Sequence, residues 1–203
     1  MAPDLIGALI DATVKSMAVH ADELTALDQA IGDGDHGINM QRGFGAIAEI
    51  ADELVGLSLG AALQKAGMTL VMKVGGASGP LYGSLLMSMG KAMPADPDGR
   101  GDVAAAFAEG VAAVKKRGKS EAGEKTMLDV LVPVRDAVAS NDGDPLAVAR
   151  RAADDGLEST RDMLATKGRA SFLGERSVGH IDPGARSSAL LVHAVCDVLE
   201  GRL

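Results

Sequence analysis

Aromatic residues are scarce in this chain: three Phe, one Tyr and no Trp among 203 residues. Leu, Val, Ile, Ala and ten Met must therefore fill any core, and such small or flexible side chains suit closely packed helices. A single cysteine excludes an internal disulfide and a cysteine-cluster zinc site. No apolar run approaches the ~20 residues that span a bilayer, and the first nine residues lack the basic and long apolar regions of a signal peptide. The expected address is the cytoplasm. Positive charge is also in deficit, with 20 Lys and Arg against 28 Asp and Glu. The net charge of −8 repels nucleic acid phosphates and anionic lipid, so neither nucleic acid nor a membrane is expected as a partner.

What is present reads as one all-α domain over residues 1–203. Apolar residues recur at three-then-four spacing over 5–27, 38–54, 58–74, 80–93, 102–114, 126–138, 145–164 and 185–203, which predicts eight helices. Asp4, Ser58, Asp102 and the Asp144-Pro145 pair have the chemistry of helix starts. Pro133 falls inside the sixth stripe and either kinks it or marks its true beginning. Residues 93–101 form the most linker-like stretch, read as a surface loop because the helices on both sides have the same composition.

Glycine is abundant, 26 of 203 residues, and gathers between the helical stripes at 31–37, 75–83, 118–123 and 168–184. Backbone there must adopt unusual angles or approach something closely. The connection over 168–188 exceeds the ~12 to 15 residues at which a structureless loop calls for a functional reason. Four glycine-rich loops in a helical chain point to one ligand site.

Asp28 just before the first of these regions and Asp33 and Asp35 within it lie inside eight residues, the last two separated by Gly34. Three crowded carboxylates repel unless a hard divalent cation joins them; a solvated acidic turn that caps the next helix would have the same letters. An EF-hand starting at Asp33 fails, because Ile38 and Phe44 occupy the positions that need Gly and Glu. Gly32 to Gly37 also matches G-x-G-x-x-G, with Asp52 about 20 residues on, but a helix stripe rather than a strand precedes it. Bare Asp33 and Asp35 would repel a pyrophosphate, whereas carboxylates holding Mg²⁺ attract one. Gly37-Ile38-Asn39 opens a helix whose free N–H groups favour phosphate. The 75–83 loop offers backbone N–H groups and the Ser78 hydroxyl to an anion, or serves simply as a tight helix-to-helix turn. Gly118-Lys119-Ser120 imitates the end of a Walker A loop, yet Ala113 stands where its first glycine should be. Arg169, Arg176 and Arg186 suit phosphate, although surface pairing is the ordinary role of such residues. His20, His193 and Cys196 fall in helical stripes and read as packing residues.

Taken together, several strings resemble the nucleotide-binding L subunit of bacterial phosphotransferase-dependent dihydroxyacetone kinase. They are Ile31-Gly32-Asp33-Gly34-Asp35-His36-Gly37, Gly75 through Gly83, Lys125-Thr126-Met127-Leu128-Asp129, and Gly168 through Ser177 continuing to Gly179-His180-Ile181-Asp182-Pro183-Gly184. Glu124 departs mildly from the family, which often has Asp there. The resemblance implies an antiparallel up-and-down barrel of eight helices with the ligand in the loops at one end. It implies two Mg²⁺ ions on Asp28, Asp33 and Asp35, and ADP or ATP contacted by His36, Gly37, Ile38, Asn39, Ala77, Ser78, Gly118, Met127, Arg169, Asp182, Pro183 and Gly184. In such a kinase ADP stays bound: a phosphohistidine carrier of the phosphotransferase system converts it to ATP, which phosphorylates dihydroxyacetone held on a separate K subunit. At 203 residues there is no room for the K-like domain that ATP-dependent relatives fuse to this one. Another short ketose or sugar alcohol is the alternative substrate, and a transcription regulator and a second copy of the chain are further candidate partners. Neither a protein nucleophile nor a base is expected, because phosphoryl transfer relies on positioning and charge neutralisation.

Overall fold

The computed structural model describes residues 3–97, 99–140 and 143–201. Asp98 in the 93–101 loop, the side chain of Asp4 and the last residues of the 185–203 stripe lie outside them. Ten α-helices are present among the described residues, rather than eight: α1 (Pro3–Val19), α2 (Ala21–Ile31), α3 (His36–Ala48), α4 (Ala51–Val55), α5 (Leu59–Lys73), α6 (Ser78–Ala92), α7 (Arg100–Gly118), α8 (Leu128–Ala139), α9 (Pro145–Ser159) and α10 (Pro183–Leu199). No strand occurs among them, and no helix is long and apolar enough to cross a membrane.

The two extra helices arise where expected single stripes are interrupted. His20 (φ −102°, ψ 11°) separates α1 from α2, and its ring Nδ1 meets the Ser16 carbonyl at 2.9 Å. Ile50 (φ −111°, ψ 16°) separates α3 from α4 in the same sparsely populated backbone region. The seventh stripe is shorter than its 145–164 pattern: α9 stops at Ser159, and a 3₁₀ turn follows over Thr160–Asp162. The carbonyls beyond this point turn toward the Lys125 ammonium instead of continuing the helix.

Ser58 and Asp144 cap their helices as expected, accepting from the backbone N–H of Ala61 (3.3 Å) and Leu146 (3.1 Å). Asp102 is not at the cap position: α7 starts at Arg100, with Gly99 ahead of it at φ 93°. Asp4 likewise lies inside the first turn of α1 rather than ahead of it. Pro133 lies five residues inside α8. Lacking an N–H, it cannot bond the Asp129 carbonyl, and Gly156 of α9 packs on that carbonyl so closely that a Cβ would come within 2.3 Å.

α3 packs on α5, chain neighbours pack side by side from α5 through α10, and α1 lies between α10 and α3, closing a ring. Glycines set the spacing of the closest pair. On α5 and α6, Gly60 faces Gly90 and Gly67 faces Gly83, each close enough that a Cβ would strike the opposite carbonyl. Met17, Leu24, Met40, Leu54, Leu70, Val111 and Leu128 are fully enclosed within the ring. Phe44 and Tyr82 are buried as well, whereas Phe172 is 88% exposed. The glycine-rich connections α2–α3, α5–α6, α7–α8 and α9–α10 meet at one end, where residues of each line a common cleft. The N-termini of α3, α6, α8 and α10 therefore converge there, and with them the positive ends of four helix dipoles.

Candidate functional site

Asp28 is buried in the last turn of α2, and its Oδ2 accepts from the backbone N–H groups of Asp35 (2.9 Å) and His36 (3.1 Å). Asp28, rather than the adjacent Asp35, thus caps α3. The turn depends on glycine: a Cβ on Gly32 would sit 2.0 Å from Asp28 Oδ1, and Gly34 has φ 75°. One oxygen from each of Asp28, Asp33 and Asp35 can be chosen so that all three lie within 4.8 Å of one another. Two of the three carboxylates are exposed to solvent. An all-oxygen set of this charge fits Mg²⁺, which binds through one or two carboxylates and completes its shell with water or phosphate. Arg169 Nη2 lies 3.0 Å from Asp33 Oδ2 and supplies positive charge to the cluster.

These carboxylates border a cleft of about 170 Å³. Its other walls come from His36, the Gly75-Gly76-Ala77-Ser78 turn, residues 125–127, residues 167–170 and Asp182-Pro183-Gly184. Gly76 has φ 63°, and Ala77 has no side chain able to cap α6, so this helix opens into the cleft with bare backbone. That is an anion-binding geometry. Of the residues expected at the site, Asp28, Asp33, Asp35, His36, Ala77, Ser78, Met127, Arg169, Asp182, Pro183 and Gly184 line the cleft, whereas Gly37, Ile38, Asn39 and Gly118 do not. Gly37 instead lets α3 meet α2, where a Cβ would lie 1.9 Å from the Ala21 carbonyl oxygen. Ile38 is exposed to solvent. Asn39 is buried behind Gly75 and accepts from Arg42 Nη2 at 2.7 Å. Gly118 ends α7, where Lys119 adopts a left-handed conformation (φ 49°), so the Walker-like letters form a helix terminus.

A buried polar chain connects three of the converging helices. His36 Nδ1 lies 3.1 Å from Ser78 Oγ, and Nε2 lies 2.9 Å from Ser187 Oγ. Ser187 meets the Tyr82 hydroxyl at 2.8 Å, and Tyr82 also reaches Ser188 at 2.8 Å. Burial lowers the pKa of His36 despite the nearby charges of Asp28 and Asp35, and raises that of Tyr82 to about 12. The network is thus neutral near pH 7. Asp182, capping α10 through the Ala185 N–H at 2.7 Å, is buried enough that its pKa rises to about 7.

Two residues that the sequence reading left without a role organise the remaining walls. Asp129, buried at the start of α8, accepts from the Gly123 N–H and, at 2.6 Å, from the Thr126 N–H, fixing the 123–126 turn. Lys125 is 1% exposed, in a left-handed conformation (φ 61°), and its Nζ donates into a cage of backbone carbonyls from residues 160–180. Burial lowers its pKa, and the charge of Asp182 acts in the opposite direction. Their only sequence signal was membership of the Lys125–Asp129 string. Of the other basic residues considered, Arg186 pairs with Glu23 and Arg176 is exposed. His193 pairs with Asp154 at 2.8 Å rather than packing, while Cys196 is buried as expected.

Known proteins share this fold. Residues 30–197 match the family model described as the DAK2 domain. Over 172 residues the chain is 49% identical to the ADP-binding subunit DhaL of PEP-dependent dihydroxyacetone kinase 1 from Listeria innocua, covering 85% of this chain and 84% of that one. It is 42% identical over 177 residues to the ADP-binding subunit DhaL of the Escherichia coli PEP-dependent dihydroxyacetone kinase, covering 84% of each. The crystal structure of the dihydroxyacetone kinase from C. freundii in complex with AMP-PNP and Mg²⁺ superposes with a TM-score of 0.79 and 25% identity, over 97% of this chain and 34% of that one.

Proposed function

From membership of the DAK2 domain family, to which this chain belongs, we propose that it is the ADP-binding subunit of a multi-subunit dihydroxyacetone kinase. It takes a phosphoryl group from a phosphohistidine carrier of the phosphotransferase system and passes it to dihydroxyacetone on a separate K subunit. The observation that carries this reading is the Asp28, Asp33 and Asp35 cluster beside the bare N-terminus of α6, which puts metal-binding oxygens and phosphate-binding N–H groups on one cleft. Two Mg²⁺ ions held by those carboxylates would supply the neutralisation of charge on the transferring phosphoryl oxygens.

The chain's own residues bind and orient. Backbone N–H groups of the 75–78 turn and the Ser78 hydroxyl face the phosphates, His36 holds Ser78 in place through its 3.1 Å contact, and Arg169 reaches the same region from the opposite wall. No side chain acts as nucleophile or base. Purification of the full chain without added nucleotide tests the reading: mass spectrometry of the heat-released ligand should find ADP. Retention of a dinucleotide, or failure to bind ADP with Mg²⁺ present, would overturn it.

A further inference from the structure

We propose that Lys125 is a positioning residue: its ammonium group holds both legs of the 160–182 segment against the cleft and so sets how slowly bound ADP leaves. The inference rests on the ADP-binding reading above.

Five carbonyl oxygens surround Lys125 Nζ. Those of Thr160 (2.7 Å), Arg161 (3.4 Å) and Met163 (3.1 Å) come from the leg that leaves α9, and those of Ser177 (2.7 Å) and His180 (2.7 Å) from the leg that returns to α10. An ammonium has three N–H donors, so the cage offers more acceptors than bonds and spreads the charge over backbone dipoles. Among the described residues no carboxylate forms an ion pair with it. A buried ammonium without a carboxylate partner is costly, and a left-handed backbone at a non-glycine residue adds to that cost. What these costs secure is the segment between the two legs, which carries Gly168, Arg169 and Ala170 to one wall of the cleft. Thr126 and Met127, next to Lys125 in the chain, belong to another wall. One side chain therefore joins two walls of the cleft.

Other ties add to the cage: Ala165 N–H donates to Ser177 Oγ at 3.0 Å and Asp182 N–H to Thr160 Oγ1 at 3.1 Å, Lys167 stands 4.0 Å from Glu124, and Ala165, Ala170 and Leu173 pack on Ile31 of α2. Thr166 N–H donates to the Glu124 carbonyl at 3.3 Å, Gly179 N–H to the Arg161 carbonyl at 2.7 Å, and the Arg169–Asp33 pair is largely exposed. Exposed pairs of that kind contribute little. Removing the ammonium should loosen the segment while leaving the helical ring intact.

The test follows release of a fluorescent ADP analogue from the full, Mg²⁺-loaded chain after a chase with excess ADP. In Lys125→Met the release rate should rise roughly 100-fold, as expected for the loss of charge-assisted hydrogen bonds. Hydrogen exchange should accelerate over residues 160–182 but not in α5 or α6. In the kinase assay with K subunit and carrier, the KM for added ADP should rise by a similar factor while kcat stays within a few-fold. Adding Glu124→Cys and Thr166→Cys to Lys125→Met, and oxidising the pair, should restore slow release by closing the same two walls covalently. If Lys125→Met does not fold, Lys125→Gln, which keeps two N–H donors without the charge, carries the same measurements. An unchanged release rate, exchange accelerated throughout the ring, or a fall in kcat with KM unmoved would overturn the positioning role. Rapid release already in the unsubstituted chain would instead overturn the ADP-binding reading on which it rests.

Discussion

Arg169 Nη2 stands 3.0 Å from Asp33 Oδ2, joining a second 3₁₀ segment, Arg169–Ser177, to the carboxylate cluster at the end of α2. Both side chains are substantially exposed, so the pair contributes at most ~1 kcal/mol and exchanges readily. A divalent cation on Asp33 competes for the same oxygen and would free the guanidinium to meet phosphate. Arg169→Ala should therefore weaken Mg²⁺-ADP binding about tenfold without weakening the binding of Mn²⁺ alone. Calorimetric titration of each ligand separately checks both arms.

The carboxylates themselves are expected to be indispensable. Asp33→Asn and Asp35→Asn should each cut phosphoryl transfer by on the order of 100-fold or more. Asp52→Asn, at an exposed position of α4 that does not line the cleft, should change the rate less than twofold. A coupled kinase assay at saturating ADP and Mg²⁺ compares them. Greater damage from Asp52→Asn would reopen the dinucleotide reading of the G-x-G-x-x-G letters.

The helical class and the carboxylate cluster were legible in the sequence because both rest on local spacing: three-and-four periodicity for the helices, and three Asp within eight residues for the cluster. The breaks at His20 and Ile50 were not legible, since each is a single backbone deviation inside an unbroken apolar stripe. Gly37 was expected at the nucleotide from its place at a helix start and Gly118 from the resemblance alone, and neither lines the cleft. In the fold, Gly37 makes room for the Ala21 carbonyl, and Gly118 ends a helix. Lys125 was the hardest to read. Its five acceptors lie 35 to 55 residues away and are backbone atoms, which leave no mark on residue identity.

Close packing of α5 on α6 gives a stability prediction. In Gly67→Ala the new methyl would meet the Gly83 carbonyl oxygen at 2.8 Å and the Met87 backbone nitrogen at 2.9 Å, neither of which can move without the helix. The cost should be about 1 to 3 kcal/mol. Gly45→Ala, in α3 with nothing within 4 Å, should stabilise by about 0.5 to 1 kcal/mol through helix propensity. Denaturant unfolding of the two variants should shift the midpoint in opposite directions.

Asp182 gives stability a pH dependence. Its folded pKa, raised from 3.8 to about 7, means that the folded state holds the proton more tightly than the unfolded chain. The associated stability is complete below about pH 4 and declines as pH rises to about 7, by up to about 4 kcal/mol at 1.36 kcal/mol per unit. Asp182→Asn removes this titration. Between pH 4 and 7 the unsubstituted chain should therefore lose stability relative to Asp182→Asn, as measured by urea unfolding across that range without nucleotide.

The most direct measurement is calorimetric titration of ADP into the full chain, first with Mg²⁺ and then with excess chelator, followed by thermal unfolding and hydrogen exchange of the same samples. Three carboxylates on the cleft should make binding metal-dependent, with at least a 100-fold loss of affinity in chelator. At 100 times the dissociation constant, Mg²⁺-ADP should add about 2.7 kcal/mol, raise the melting temperature by roughly 5 to 10 °C and protect residues 32–39, 75–79 and 168–184. Equal affinity with and without Mg²⁺, or an unmoved melting temperature with those segments exchanging as before, would contradict the placement of a metal-bound nucleotide in this cleft.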